Sequence, residues 1–97
     1  MIIARTPYRI SFFGGGTDYP SWYRKYNGQV LSTSIDKYIY ISCRYLPPFF
    51  QHRFRLVYSK IEECNDIGEL KHPSVREVLK YMNVKEGLEI HYDGDLP

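Results

Sequence analysis

The sequence has few cysteines, little net charge and no long apolar run. Its 97 residues include only two cysteines, Cys43 and Cys64, and their separation matches neither a metal-binding pair nor a disulfide framework. No segment has the length of a membrane-spanning helix, and the apolar start at residues 1–4 is too short for a signal peptide. We therefore expect a cytoplasmic protein in a reducing compartment, with no membrane partner.

The net charge is equally modest. Thirteen Lys and Arg against eleven Asp and Glu give a formal net charge of +2 at pH 7. Because a nucleic-acid backbone is bound best by a concentrated basic face, we expect no nucleic-acid partner. Aromatic residues are abundant instead: they make up 16% of the chain, and ten of them are Tyr. This abundance is typical of half-buried strands and amphipathic surfaces.

The hydrophobic patterns predict one small α+β domain over residues 1–97. Strands outnumber helices and some connections read as hairpins, so we expect an antiparallel or mixed sheet with helices on one face. Helices are predicted at Pro20–Tyr26 and from Pro73 onward. The predicted strands are Ile2–Ala4, Tyr8–Phe13, Gln29–Ile35, Lys37–Leu46, Phe54–Ile61 and residues 88–93.

Several local signals refine this prediction. Pro7 indicates an edge strand or a bend, because it cannot donate a ladder hydrogen bond. Asp36-Lys37 predicts a tight turn between two strands, and Asn27-Gly28 predicts a left-handed helix end. In the second helix, a core-facing stripe is expected at positions i, i+3, i+4 and i+7, occupied by Val75, Val78, Leu79 and Met82.

The most informative stretch is R-T-P-Y-R-I-S-F-F-G-G-G-T-D-Y-P, from Arg5 to Pro20. It places an alternating strand, three glycines and a helix start within sixteen residues. If one face of the strand is core, Arg9 lies on the other. Glycines let the backbone approach a ligand closely, so this turn is a candidate site for a polar or anionic ligand.

A purely structural interpretation of the same residues stays open. Glycine-rich turns between strands and helices are common, and Asp18 could simply cap the helix that Pro20 begins. Neither well-known nucleotide loop is present. The lysine of G-x-x-x-x-G-K-[ST] is missing, and Tyr19 stands where G-x-G-x-x-G requires its last glycine.

The stretch R-I-S-F-F-G-G-G-T-D-Y-P resembles the first signature motif of the GHMP kinases, a superfamily that includes galactokinase, homoserine kinase and mevalonate kinase. It is most similar to the bacterial kinases acting on D-glycero-D-manno-heptose 7-phosphate. The likeness continues through residues 28–35 and 38–50, the H-P-S-V-R-E segment and the closing D-G-D-L-P. It therefore extends over nearly the whole chain. The implied fold resembles the second domain of ribosomal protein S5.

The resemblance implies roles for particular residues. Arg9 matches the motif arginine that lies near the reacting hydroxyl and stabilises developing negative charge. Asp18 matches the aspartate that accepts hydrogen bonds from sugar hydroxyls. The other implied substrate-binding positions are Gly14, Gly15, Gly16, Thr17 and Tyr19. The implied partner is a small sugar phosphate, and the cofactors of the complete enzyme would be ATP and Mg²⁺.

Two departures qualify the resemblance. Galactokinases carry Glu-His where this chain has Gly15-Gly16, and the missing side chains favour a larger or phosphorylated sugar over galactose. In the family, D-L-P leads into a P-x-x-x-G-L-G-S-S loop that holds the phosphates, whereas here Pro97 is the last residue. We expect the N-terminal part of a kinase domain. Alone it should bind ATP weakly, hold no metal and be inactive; the residues that would contact ATP are unknown.

Other functions stay open. One is a fucokinase-like or galactokinase-like sugar kinase; another is a non-catalytic S5-like module that binds RNA or self-associates through an exposed sheet edge or face. His52, Arg53 and Arg55 form a basic cluster that fits either a phosphate contact or a solvated strand face. His72 and His91 lack metal-ligand spacing, and Cys43 reads as a small core residue.

Overall fold

The computed structural model describes all 97 residues as one five-stranded mixed sheet with two helices. The helices are α1 (Pro20–Tyr23) and α2 (Pro73–Tyr81), and 3₁₀ turns occur at Gly15–Asp18 and Ile67–Glu69. The strand order is β1-β2-β5-β3-β4; only the β3–β5 pair is parallel. The strands are β1 (Ile2–Phe13), β2 (Leu31–Tyr45), β3 (Phe54–Val57), β4 (Ile61–Cys64) and β5 (Leu88–Gly94). The predicted α+β class is confirmed.

The two longest strands form an antiparallel ribbon at one side of the sheet. Strand β1 runs through Pro7 without a break and is an edge strand, which agrees with the lost backbone donor of proline. The predicted hairpin at Asp36-Lys37 is wrong, because β2 continues through it. The register passes from Pro7 opposite Tyr38 to Arg9 opposite Ser34, so β2 carries two extra residues there. A bulge, not a turn, accommodates the polar pair.

The opposite side of the sheet holds a short hairpin that the sequence pattern concealed. The single strand predicted over Phe54–Ile61 is two strands, β3 and β4, which pair antiparallel. Between them the amide of Tyr58 donates to the carbonyl of Lys60 at 2.8 Å. No glycine, proline or asparagine marks this turn, so the alternating pattern reads as one strand.

Helix α2 begins at Pro73 as predicted, whereas helix α1 is shorter than predicted. Helix α1 ends at Tyr23, and the amide of Tyr26 then bonds to the carbonyl of Trp22 at 2.8 Å. The predicted left-handed end at Asn27-Gly28 is wrong, since neither residue has a positive φ. Neither helix has the length and apolar character needed to cross a bilayer.

Helix α2 packs on one face of the sheet, and the core forms beneath it. The predicted stripe is only partly buried: Leu79 is inside, whereas Val78 and Met82 are 54% and 67% exposed. Of the four stripe residues, only Leu79 belongs to the buried core, and Val75 packs against it while partly buried. The core cluster consists of Phe54, Leu56, Cys64, Leu70, Leu79 and Leu88.

The hydrophobic core is confined to one side of the sheet, the side formed by β5, β3 and β4. No residue of β1 is fully buried, and Ile10 and Phe12, which alternation would place inside, are exposed. The radius of gyration is 16.6 Å, against about 13 Å for a compact domain of this size. The glycine turn and Arg9 therefore lie on a ribbon that extends away from the core.

Candidate functional site

The glycine turn is a fixed structure at the end of β1. Gly14 has φ 91° and ψ 1°, a left-handed conformation, and a Cβ there would collide with the backbone carbonyl of Gln29. The amide of Thr17 donates to the carbonyl of Gly14 at 3.0 Å, and its hydroxyl donates to the same carbonyl at 2.7 Å. The turn is thereby held closed.

This turn brings the two principal candidates together. The guanidinium Nη2 of Arg9 lies 3.9 Å from Oδ2 of Asp18, and the two side chains are 60% and 58% exposed. Asp18 does not cap α1, whose N-cap is Tyr19, with no side-chain hydrogen bond. The capping interpretation is therefore not realised. The pair is a loose, solvent-facing ion pair whose charged atoms are accessible to a ligand.

The remaining candidates around this pair divide by their surroundings. Gly15 and Gly16 face open space, with no atom within 4 Å of where a Cβ would stand. Tyr19 is exposed. The Thr17 hydroxyl is engaged by backbone carbonyls, and Gly14 is packed against Gln29. Gly15, Gly16 and the exposed Arg9–Asp18 pair thus form the accessible part of the site. Gly14 and Thr17 maintain the shape of the turn.

A second charged cluster, which the sequence did not predict, lies across four strands. Glu89 on β5 is buried, and its carboxylate accepts hydrogen bonds from Arg44 at 2.8 Å and Arg55 at 3.1 Å. His91 Nε2 lies 2.7 Å from the same carboxylate, and Arg55 also pairs with Glu63 at 3.4 Å. Charges of opposite sign therefore alternate across β2, β5, β3 and β4.

This network strongly favours the ionised form of Glu89. The hydrogen bond from His91 lowers the pKa of Glu89 most, and Arg44 and Arg55 add to it against the opposing effect of burial, which brings the pKa to about 2. Alternation along β5 marks Glu89 and His91 as facing away from Leu88 and Ile90. The arginines that bind Glu89 are brought to it by the strand register, so they could not be identified from the local sequence.

The basic cluster and the other histidine have structural partners. His52 Nδ1 lies 3.6 Å from Glu63, and the Arg53 guanidinium donates to the carbonyl of Lys85. Arg55 belongs to the Glu89 network, so each of the three side chains has a neighbour of structural use, although Nε2 of His52 is buried without a hydrogen bond. His72 accepts a hydrogen bond from the amide of Val75 at 3.4 Å and caps α2.

The cysteines and acidic residues form neither a nucleophile nor a metal cluster. Burial raises the pKa of the Cys43 and Cys64 thiols, which disfavours the reactive thiolate. No group of three or more His, Cys, Asp or Glu side chains is arranged around one position.

Comparison with known proteins adds the decisive observation on the fold. No family model matches the sequence, and no curated protein matches it significantly. A solved structure does match: a D-glycero-D-manno-heptose 1-phosphate kinase from Bacteroides thetaiotaomicron, with a TM-score of 0.69 and 16% identity. The chain shares its fold with part of a sugar kinase.

This match confirms the predicted resemblance at the level of the fold. It covers 98% of this chain and 34% of the kinase, so the chain spans about a third of the length of the structure it matches. The sheet and its helices accordingly correspond to one portion of a larger enzyme fold. The more specific likeness to ribosomal protein S5 stays a prediction.

Proposed function

We propose that this chain supplies the sugar-binding part of a GHMP-type sugar kinase, with a heptose 7-phosphate as the acceptor. The observation that carries the proposal is the Arg9–Asp18 pair, 3.9 Å apart beside two open glycines. The shared fold with a heptose phosphate kinase supports it. The chemistry of the pair suits a polyhydroxylated ligand, because a carboxylate accepts hydroxyl protons and a guanidinium donates.

Each member of the pair has a distinct role in this proposal. Asp18 accepts hydrogen bonds from two sugar hydroxyls and orients the ring. Arg9 points its guanidinium at the acceptor hydroxyl and stabilises the negative charge that develops there as the hydroxyl attacks. Gly15 and Gly16 leave room that a side chain would fill, which accommodates a seven-carbon sugar bearing a phosphate.

ATP and Mg²⁺ belong to the complete enzyme in this proposal, where residues other than Arg9 and Asp18 would hold them. They would supply the transferred phosphoryl group and the charge neutralisation that phosphoryl transfer needs. We propose that the 97-residue chain alone binds neither of them tightly. Accordingly, its expected activity is recognition of the sugar without consumption of ATP.

Calorimetric titration of the purified chain tests the proposal. D-glycero-D-manno-heptose 7-phosphate should bind, and Asp18→Asn should weaken binding by about tenfold or more, since hydrogen bonds to a charged group contribute about 1.5–3 kcal/mol. Glu86→Gln is the matched control, because this substitution removes a carboxylate that forms no ion pair and lies outside the glycine turn.

The same titration distinguishes the alternatives. Preference for a bare 6-deoxy sugar such as L-fucose would indicate a fucokinase-like specificity and overturn the heptose assignment. Equal binding by the wild-type chain and the Asp18→Asn variant would remove Asp18 from the site. Sugar-dependent ATP consumption by the purified chain would contradict the division of roles between this chain and the rest of the enzyme.

A further inference from the structure

The register of the β1–β2 ribbon places three serines beside the Arg9–Asp18 pair. Arg9 lies directly opposite Ser34, and Ser11 lies directly opposite Ser32. Residues opposite one another on antiparallel strands share a face, as do residues two apart on one strand. Ser11, Ser32 and Ser34 therefore lie on the same face as the Arg9 side chain.

The three hydroxyls are exposed and have no partner within the chain. None of them forms a hydrogen bond to another residue, whereas the neighbouring Thr33 hydroxyl, on the opposite face, donates to the Ser34 carbonyl at 3.2 Å. The Thr17 hydroxyl is likewise occupied by backbone carbonyls. Among the hydroxyls around the glycine turn, those of the serines are thus free to donate to and accept from a ligand.

The size and charge of this surface restrict what it can bind. With a rise of about 3.4 Å per residue and about 5 Å between opposite Cβ atoms, it extends roughly 7 Å along the strands and 5 Å across them. The Arg9–Asp18 pair has no net charge, and the serines are neutral. Such a surface suits several hydroxyl groups at once better than it suits a phosphate.

We propose that Ser11, Ser32 and Ser34 recognise the uncharged, hydroxyl-bearing part of the sugar and determine specificity for its hydroxyl pattern. This inference rests on the proposed function, because it assigns further contacts within the same site. Each serine hydroxyl both donates and accepts, as sugar hydroxyls do, so the three can match a particular arrangement of ring hydroxyls. The phosphate of the substrate lies outside this surface.

Titration of the ¹⁵N-labelled chain with D-glycero-D-manno-heptose 7-phosphate, followed by NMR, tests the inference. The amides of residues 11, 32 and 34 should shift with the sugar phosphate and stay unchanged with inorganic phosphate. Ser32→Ala and Ser34→Ala should each raise the dissociation constant about two- to tenfold, the effect of one neutral hydrogen bond. Thr33→Val is the matched control on the opposite face and should bind as wild type does.

The outcomes separate this inference from the proposed function. If the wild-type chain binds the sugar phosphate but the serine variants bind equally well, the serine surface is wrong and the sugar-binding function stands. If inorganic phosphate shifts the serine amides as strongly as the sugar does, the surface binds the phosphate and the inference fails. If the wild-type chain does not bind at all, the proposed function fails, and the inference fails with it. Unchanged thermal unfolding of the exposed-serine variants verifies that folding is intact.

Discussion

At the scale of single residues, Gly14 is the position that the turn depends on. Replacing it with alanine should destabilise the chain by about 2 kcal/mol or more, because a non-glycine residue at φ 91° is strained and its Cβ meets the Gln29 carbonyl. Urea unfolding followed by circular dichroism measures the loss. Gly15→Ala is the control, expected within about 0.5 kcal/mol of wild type. Equal unfolding midpoints for the two variants would show that the turn is not under this constraint.

The acid response of the protein should depend on Glu89. Its pKa is lowered from 4.5 to about 2, so the unfolded chain takes up a proton at a higher pH than the folded chain does. The stabilisation is fully present above pH 4.5 and is lost as the pH falls toward 2. Glu89→Gln should remove this part of the slope and lower the free energy of unfolding at pH 7 by about 1–3 kcal/mol.

Unfolding midpoints measured between pH 2 and pH 7 test the Glu89 prediction. Glu77→Gln is a suitable control, because Glu77 forms only exposed ion pairs with Arg76 and Lys80 on α2. Its pH profile should follow that of the wild type. A Glu89→Gln profile that also parallels the wild type would mean that the buried network contributes nothing to acid stability.

Contacts between residues could be predicted from the sequence where the two partners lie close together along the chain, and not where they lie far apart. Arg9 and Asp18 were selected from one contiguous motif, and the closed turn brings them together. The Glu89 network was missed because the two arginines that bind Glu89 lie 45 and 34 residues away on other strands. Alternation assigned its face but could not identify those neighbours. The serines on β2 were missed for the same reason, because only the register with β1 places them beside Arg9 and Ser11.

At the scale of elements, local patterns predicted strands better than their connections. Alternation correctly placed most of β1, β2 and β5. It failed where a polar pair lies in a bulge, as at Asp36-Lys37, since bulges and turns draw on similar residues. It failed again at the β3–β4 hairpin, whose turn contains no glycine, proline or asparagine. Which connection forms was decided by pairing across the sheet.

Helix α2 offers a direct test of which face is core. Leu79 is buried in the core cluster, so Leu79→Ala should cost about 2–4 kcal/mol. Val78 is exposed, and alanine is the better helix former, so Val78→Ala should be neutral or slightly stabilising. Thermal or urea unfolding of both variants measures the difference. A large loss for Val78→Ala would mean that another surface covers this side of the helix.

At the scale of the whole molecule, the sheet is only partly covered. Eight of the 97 residues are buried, and many large apolar side chains on β1, α1 and α2 face solvent. The sheet edge at β1 is twelve residues long and has no partner on its outer side. An exposed apolar surface next to an open edge favours association of chains.

We propose that the isolated chain self-associates through β1, by pairing the edge strands of two copies. Light scattering should then show a mass that rises with protein concentration. Ile3→Lys should reduce this rise, because a charge on an exposed edge strand opposes pairing. Tyr81→Lys, at the end of α2, is the control: it removes a large side chain that is 92% exposed, against 68% for Ile3, but lies away from the edge, and it should leave association unchanged. A constant monomer mass for the wild-type chain would refute self-association, whereas a loss in both variants would assign it to general apolar contact rather than to strand pairing.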